Sequence, residues 1–424
     1  MNDLAWIDAT FASARPKAMA ALLRYFRDLD TAEEAFQDAC LRALRMWPDK
    51  GPPRDPAAWL ILVGRNAALD RTRRLKRETV LPPEDQLSEL GDAESEMTER
   101  LDQADYRDDI LRLLFTCCHP ELPATQQIAL ALRIVSGLSV KQIARAFLVN
   151  EKAMEQRITR AKARIAAAGI PFDTPGPVER AERLGLVLAM IYLVFNEGYS
   201  ASGEEIEPRQ PLCNEAIRLG RLLLRMFPAE PEVMGLAALM LLQHARSSAR
   251  FDAGGDIILL EDQDRARWNR PMIAEGLALV DKALRHRRPG AYQLQAAIAA
   301  LHARATSADE TDWRQIDVLY AMLEQITPSP VVTLNRAVAV SKAYGAETAL
   351  TLVEPLGTSL DGYFNFHGVR GAFLMQLGRN SAARDAFNRA IALARSGAEA
   401  AHIRGHLDRL ESEAVRQVET VPSP

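Results

Sequence analysis

The segment Gly137–Arg164, GLSVKQIARAFLVNEKAMEQRITRAKAR, limits the fold more than any other part of the chain. Its pattern predicts two short helices joined by a turn over 147–150. Ser139 is suited to cap a helix over 140–146, and Asn150 is suited to cap a second helix over 151–165. Two helices joined by so short a turn are typical of a helix-turn-helix, whose second helix enters the DNA major groove.

The second predicted helix has one apolar face and one polar face. Apolar residues recur at spacings of four, three and four, which predicts one buried stripe: Met154, Ile158, Ala161 and Ile165. The opposite face and its flanks, together with Lys141 in the first helix, carry the predicted DNA contacts: Lys152, Glu155, Gln156, Arg157, Thr159, Arg160, Lys162 and Arg164. A solvated surface is the alternative for these side chains, but the docking geometry of such helices favours contact with bases or phosphates.

Charge is distributed unevenly along the chain. The formal net charge of −4 argues against a uniformly basic nucleic-acid binder. Residues 133–166 nevertheless contain eight bases and two acids, a local excess of +6. Nucleic-acid binding is therefore expected in this segment and not over the whole surface.

Composition and motifs exclude several other classes. Four cysteines without a spaced framework, and no apolar signal region at the N-terminus, predict a cytoplasmic protein. Cys117, Cys118 and His119 have no second cluster with which to complete a zinc site, so we expect no metal there. The apolar run Leu184–Phe195 is too short to span a membrane. No nucleotide-binding glycine motif and no catalytic pair is visible, so neither a cofactor nor an enzymatic activity is predicted.

Helical periodicity dominates the chain, and we predict an all-α protein with four parts. They are residues 1–77, a linker over 78–109, a domain over 110–172 that holds the helix-turn-helix, and a helical domain over 178–412. The linker contains twelve acids and two arginines. Such a composition predicts an extended segment that passes into a helix.

The last part contains a degraded repeat of the tetratricopeptide kind. The same spacings of four, three and five separate Ala216, Gly220, Leu223 and Pro228, and then Ile316, Tyr320, Leu323 and Pro328. Near the end of the chain, Gly371, Gly378, Ala383, Phe387 and Ala390 match the tetratricopeptide offsets of seven, five, four and three. One helix pair cannot bury its apolar face alone, so the repeat predicts an α-solenoid of stacked pairs.

The first part combines an acidic helix with a helix that ends in bases. The stretch AEEAFQDAC carries Glu33, Glu34, Gln37 and Asp38 on one side, and a solvated acidic face is its simplest interpretation. The stretch Pro56–Arg77 places five bases in its last seven residues: Arg71, Arg73, Arg74, Lys76 and Arg77. Cations stabilise a helix C-terminus, but five exceed that need and favour binding to phosphates.

These motifs, in this order, resemble RNA polymerase sigma factors of the extracytoplasmic-function type. AEEAFQDAC resembles the segment that grips the polymerase clamp, WLILVGRNAALDRTRR the helix beside the −10 element, and the helix-turn-helix the domain that reads the −35 element. FTCCHPEL, AMEQRITRAKARI, AGIPF and NEGY resemble the subgroup with a tetratricopeptide-like C-terminal extension. The resemblance thus covers nearly the whole chain.

The resemblance implies partners and roles. Core RNA polymerase would bind Glu33, Glu34, Gln37 and Asp38, and promoter DNA would be the second partner. The −10 element would meet Lys50, Arg54, Arg65 and Asn66 together with the five bases of 71–77. The C-terminal domain would regulate activity through a protein or peptide partner.

Two positions depart from the family pattern. Leu148 replaces the usual turn glycine, and Glu155 stands where many relatives have lysine. Glutamate accepts from cytosine N4 but repels phosphate, so we expect an unusual −35 preference.

Two other classes of protein remain as alternatives: a dimeric helix-turn-helix activator with a solenoid sensor, and a peptide-binding scaffold that no longer binds DNA.

Overall fold

The computed structural model describes residues 5–76, 103–119, 121–147, 149–168, 177–199, 206–252, 257–394 and 397–419. Over these ranges the regular elements are helices, and the single extended pairing is the isolated bridge between Phe251 and Ile257. The prediction of an all-α protein is therefore confirmed. The chain forms two compact units, Met1–Val194 and Phe195–Pro424.

The first unit contains eight helices within its described residues, the last of which continues past Val194. They are α1 Ala5–Phe26, α2 Leu29–Lys50, α3 Pro56–Lys76, α4 Gln103–Cys117, α5 Ala124–Ile134, α6 Val140–Ala146, α7 Glu151–Ala167 and α8 Pro177–Tyr199. The first three pack against one another, and α4 packs against α1.

Local signals in the sequence set the ends of α2 and α3. Asp28 caps α2 by accepting from the backbone N–H of Thr31 at 2.7 Å. Gly51 ends α2 with a φ of 77°, a conformation that glycine adopts without strain. Asp55 accepts from the backbone N–H groups of Ala57 and Ala58, each at 3.0 Å, and so starts α3.

An aromatic cluster fills the space between α1, α2 and α3. Trp47 is 2% exposed and lies 5.4 Å, centroid to centroid, from both Phe11 and Trp59. Trp47 therefore belongs to the core of this part of the chain.

The second unit consists of eleven helices among its described residues. They are α9 Ile206–Met226, α10 Pro231–His244, α11 Arg270–Leu284, α12 Ala291–Arg304, α13 Trp313–Ile326, α14 Pro330–Tyr344, α15 Ala346–Val353, α16 Gly357–Leu360, α17 Phe364–Gln376, α18 Asn380–Leu393 and α19 Gly397–Glu419. Most pack on helices that are near neighbours along the chain, as stacked pairs require.

Glycines of the repeat pattern lie where helices approach closely. A Cβ on Gly220 would meet Met240 Cε at 2.7 Å, and a Cβ on Gly371 would meet the Phe387 ring at 2.6 Å. These contacts join α9 to α10 and α17 to α18. The small residues in the repeat are thus explained by packing.

None of the helices in the described ranges is long and apolar enough to cross a membrane.

Candidate nucleic-acid interface

The helix-turn-helix forms with the two caps that the sequence predicted. Ser139 Oγ accepts from the N–H of Gln142 at 3.1 Å, and the Gln142 side chain accepts from the N–H of Ser139 at 2.8 Å. This reciprocal capping box starts α6. Asn150 Oδ1 accepts from the N–H of Ala153 at 2.7 Å and starts α7. Leu148, the expected departure in the turn, lies outside the described residues.

The two faces of α7 are separated as expected. Its buried residues are Met154, Ile158, Ala161 and Ile165, each at most 9% exposed. The exposed residues include Lys152, Glu155, Gln156, Thr159, Arg160 and Arg164, and Lys141 on α6 is exposed as well. A continuous polar surface therefore remains open on the side that a major groove would receive.

Two of the predicted DNA contacts on α7 are less exposed than the others. Arg157 is half-buried. Lys162 points toward α2, where its Nζ donates to Asp30 Oδ1 at 2.5 Å and to Glu33 Oε2 at 2.9 Å. Burial alone would lower the pKa of Lys162, but these two hydrogen bonds and charges raise it above its ordinary value.

The residues predicted to meet the −10 element lie around the loop between α2 and α3 and along α3. Lys50 and Arg54 are exposed, and Arg65 and Asn66 are half-buried. The side chains of Arg71, Arg73, Arg74 and Lys76, and all of Arg77, lie outside the described part of the chain.

The structure adds an aromatic residue to this region that the sequence had not suggested. Tyr25, near the end of α1, is 49% exposed, and the guanidinium carbon of Arg65 lies 5.1 Å from its ring centroid. An exposed ring with an arginine over it is a surface on which a nucleobase stacks well. No periodicity signal marks Tyr25, because its partner is forty residues away along the chain.

The predicted polymerase face on α2 has an apolar part. Glu34 and Gln37 are exposed and Asp38 is half-exposed. Leu41 and Leu44, at helical spacing from Glu34 and Gln37, are 57% and 41% exposed. Exposed leucines beside acidic and amide groups form the kind of patch that binds another protein.

Glu33 is separated from the rest of that face. It is 6% exposed, and its carboxylate lies 2.6 Å from Arg133 Nη2 on α5 and 2.9 Å from Lys162 Nζ. Arg15 Nη2 lies 3.8 Å from the same carboxylate. Three bases from three helices thus surround one acid that the sequence had placed on a solvated surface.

Arg15 itself is buried and bonds to the end of α5. Its Nε donates to the carbonyl of Ile134 and its Nη2 to the carbonyl of Arg133, both at 3.0 Å. Burial lowers the pKa of Arg15 to about 10, although Glu33 acts in the opposite direction. A guanidinium on the last carbonyls of a helix stabilises its negative end.

The thiols of the first unit are structural. Cys117 and Cys118 are buried at the end of α4, where burial raises the pKa of Cys118 to about 12 and that of Cys117 well above its ordinary value. Within the described ranges, no three or more His, Cys, Asp or Glu side chains are grouped so that they could hold a metal ion.

The second unit encloses a cavity of about 850 Å³. Aromatic, amide and basic groups share its lining, among them Arg265, His302, Trp313, Asn335, Phe364 and Gln376. Arg265 donates to the carbonyls of His302 at 2.6 Å and Ala305 at 2.8 Å, at the end of α12. The volume lies in the range of small-molecule and peptide sites.

Comparisons with known proteins agree with this geometry. Sigma-70 region 2 matches residues 10–78, and sigma-70 region 4 matches residues 112–165. A family of unknown function (DUF6596) matches residues 183–284. An uncharacterised protein of Rhizobium meliloti (strain 1021) is 69% identical over 413 residues, which cover 97% of this chain and 98% of that protein.

The chain therefore belongs to the sigma-70 superfamily and is similar to its extracytoplasmic-function members. Regions 2 and 4 give it a sigma-factor role in transcription initiation, with core RNA polymerase and promoter DNA as partners. Sigma-factor families are not enzymes. We call α1–α3 the first sigma domain and α4–α7 the second sigma domain.

Proposed function

We propose that this chain directs RNA polymerase to a specific set of promoters and that its C-terminal unit regulates this activity. The observation that carries the proposal is the pairing of two surfaces in one chain: the exposed polar face of α7 and the exposed acidic and apolar face of α2. A DNA-binding activator needs the first surface but has no use for the second. The protein would work in the cytoplasm, without a catalytic activity of its own.

The face of α7 supports recognition of the −35 element. Lys152, Gln156 and Arg160 lie at spacings of four on the exposed side, where side chains reach base edges and phosphates. Glu155 stands among them and would accept from the N4 amino group of cytosine. Changing Glu155 to lysine should therefore shift base preference at one −35 position, and it should make binding more sensitive to salt because it adds a base near the phosphates.

The loop at Lys50–Arg54 and the start of α3 support contact with the melted −10 strand. Arg65 and Tyr25 supply a stacking surface, and stacking of one base contributes about 1–3 kcal/mol. The bases of 71–77 would hold the phosphate backbone. Lys50 and Arg54 are exposed, and they lie at the end of α2 and in the loop before α3, the helix that carries Arg65.

The face of α2 supports binding to core polymerase. Glu34, Gln37 and Asp38 would meet basic residues on the clamp, and Leu41 and Leu44 would supply apolar contact area. The acidic linker over 78–109 would occupy the positively charged RNA path of the polymerase.

Reconstitution with purified core polymerase tests the proposed function. The wild-type chain should give transcripts with defined start sites from promoters mapped after overexpression in cells. Leu41→Ala with Leu44→Ala should abolish these transcripts while leaving the chain folded, because both leucines are exposed. Should the wild-type chain fail to support initiation with core polymerase alone, the dimeric activator becomes the better interpretation.

The cavity of the second unit supports a regulatory role. It combines apolar surface with a few polar groups that fix orientation, as binding sites do. Asn335 and Gln376 are exposed, so their replacement by alanine should not disturb folding. This double variant should alter transcript yield in cells. The matched control is Gln325→Ala on α13, an exposed residue outside the cavity. Equal yields from both variants would exclude the cavity as the regulatory site.

A further inference from the structure

The segment that breaks the repeat supplies part of the lining of the cavity in the second unit. We call residues 257–268 the insert, and several of them, including Leu259 and Asp262, line the cavity. Lys342 Nζ on α14 donates to Glu261 Oε2 at 2.5 Å, and Arg265 donates to two carbonyls at the end of α12. The chain's own insert therefore covers part of the surface of these helices, and a peptide partner would have to displace it. The remaining space suits a small molecule.

Aromatic rings from two helices supply much of the remaining lining. Trp313 and Tyr320 come from α13, and Phe364 and Phe373 come from α17. The ring of His302 stands edge-on to Trp313, with the ring centroids 5.2 Å apart. Aromatic side chains dominate the energetics of the contacts that they make. The body of a ligand in this cavity is therefore expected to be apolar or aromatic.

One face of α19 supplies polar groups to the cavity. His402, His406 and Arg409 lie at spacings of four and three, so they share that face, and all three line the cavity. Arg409 is exposed, its Nε donates to the carbonyl of Gly405 at 3.2 Å, and its Nη2 lies 3.0 Å from His406 Nδ1. Among the described residues it forms no ion pair with a carboxylate. Its other N–H groups are therefore available to an acidic group of a ligand.

The charges around the cavity favour an anion. Burial, and then the charge of Arg409, lower the pKa of both His402 and His406, the latter to about 4. The two acids of the described lining, Glu261 and Asp262, both belong to the insert, and Glu261 is already paired with a lysine. At neutral pH the α19 side of the cavity therefore presents one positive charge beside two uncharged rings.

We propose that the cavity binds a small organic anion. Its apolar or aromatic body lies against the rings of α13 and α17, and its acidic group accepts hydrogen bonds from Arg409. Charge-assisted bonds of this kind are stronger than neutral ones, so Arg409 selects for the acidic group. The proposal rests on the proposed function, since it names the class of ligand for the proposed regulatory cavity.

Two fluorescent probes that share a ring system test the charge preference on the full chain. Anilinonaphthalene sulfonate carries an acidic group, and phenylnaphthylamine has the same rings without it. Both probes brighten when they leave water. The sulfonate probe should bind the wild-type chain with a signal that saturates.

The variant Arg409→Gln removes the charge from an exposed side chain and so retains the fold. It should weaken binding of the sulfonate probe by about tenfold, or about 1.4 kcal/mol, and should change binding of the neutral probe by less than about twofold. Arg409→Lys keeps the charge and should recover part of the affinity for the sulfonate probe. This recovery separates the loss of charge from a loss of packing.

The matched control is Arg404→Gln, because Arg404 is also exposed on α19 but does not line the cavity. It should change the affinity for neither probe. Unchanged affinity for the sulfonate probe in Arg409→Gln, or an equal loss in Arg404→Gln, overturns the proposal. A signal that does not saturate in the wild-type chain, or an equal loss of both probes in Arg409→Gln, overturns it as well.

The binding assay contains no polymerase, so its outcome is separate from that of the proposed function. Failure of the chain to support initiation with core polymerase would refute the proposed function and would leave the probe affinities as measured. Loss of the charge preference with initiation intact would refute only the ligand class proposed for the cavity.

Discussion

Gly64 sets the distance between α2 and α3, the helices that carry the proposed polymerase-binding and −10 residues. A Cβ at this position would lie 2.6 Å from the carbonyl oxygen of Ala35 and 3.1 Å from its carbon. Close carbon–oxygen contacts settle at about 3.3 Å or more, so Gly64→Ala must move α2 and α3 apart by about 0.7 Å. Backbone atoms cannot turn aside as a flexible side chain does.

The expected cost follows from two opposing effects. Overpacking of this kind costs about 1–3 kcal/mol, and alanine in place of glycine returns about 1 kcal/mol of helix propensity. Because the Cβ would meet backbone at 2.6 Å, the overpacking cost should fall in the upper part of that range, and we expect a net loss of about 1–2 kcal/mol. Gly185→Ala in α8 is the control, since a Cβ there meets nothing within 4 Å and only the favourable effect remains.

Hydrogen exchange of the full chain reports the local stability of α2 and α3 and, separately, that of α8. Peptides from α2 and α3 should exchange about 5 to 30 times faster in Gly64→Ala, as a loss of about 1–2 kcal/mol requires. Peptides around Gly185 should exchange more slowly in Gly185→Ala. The reasoning is refuted if Gly64→Ala leaves α2 and α3 as well protected as the wild type.

Three further predictions concern other parts of the molecule. Burial, with Arg246 and Arg265 nearby, lowers the pKa of His302 from 6.5 to about 4. The contribution of the neutral ring to the stability of the second unit should therefore be fully present above pH 6.5, and up to about 3 kcal/mol should be lost as the pH drops toward 4. The variant His302→Gln should weaken this pH dependence in thermal unfolding. Asn150→Ala removes the cap of α7 and should cost about 1 kcal/mol, seen as faster exchange in α7 and weaker binding to −35 DNA. Gly235→Ala should destabilise the second unit in urea by more than 1–2 kcal/mol, since its Cβ would meet the backbone nitrogen of Gln293 at 2.6 Å.

Short-range features of the fold were predictable from the sequence. Ser139 and Asn150 were recognised as caps because capping depends on residues two or three positions away. The buried stripe of α7 followed from helical periodicity, and Met154 and Ile158 are buried as predicted.

Features that depend on distant parts of the chain were not predictable. Glu33 was expected on an acidic solvated surface, but its partners Arg133 and Lys162 are about a hundred residues away or more. A single sequence carries no signal for such pairs, because any base could neutralise any acid. The segment between α10 and α11 contains two short 3-10 helices, Leu260–Asp262 and Arg265–Arg267. Its Arg265 bonds the carbonyls of His302 and Ala305, which lie 37 and 40 residues further along the chain.

We propose that the two sigma domains of this chain form one promoter reader when core polymerase is present. A hydroxyl-radical footprint of the holoenzyme on a mapped promoter, with permanganate probing of the same complex, tests this proposal. We predict protection at two separate patches, thymines reactive to permanganate at the melted −10 patch, and no protection by the free chain at the same concentration. A two-fold symmetric footprint from the chain without core polymerase would contradict this proposal and would indicate a dimeric activator.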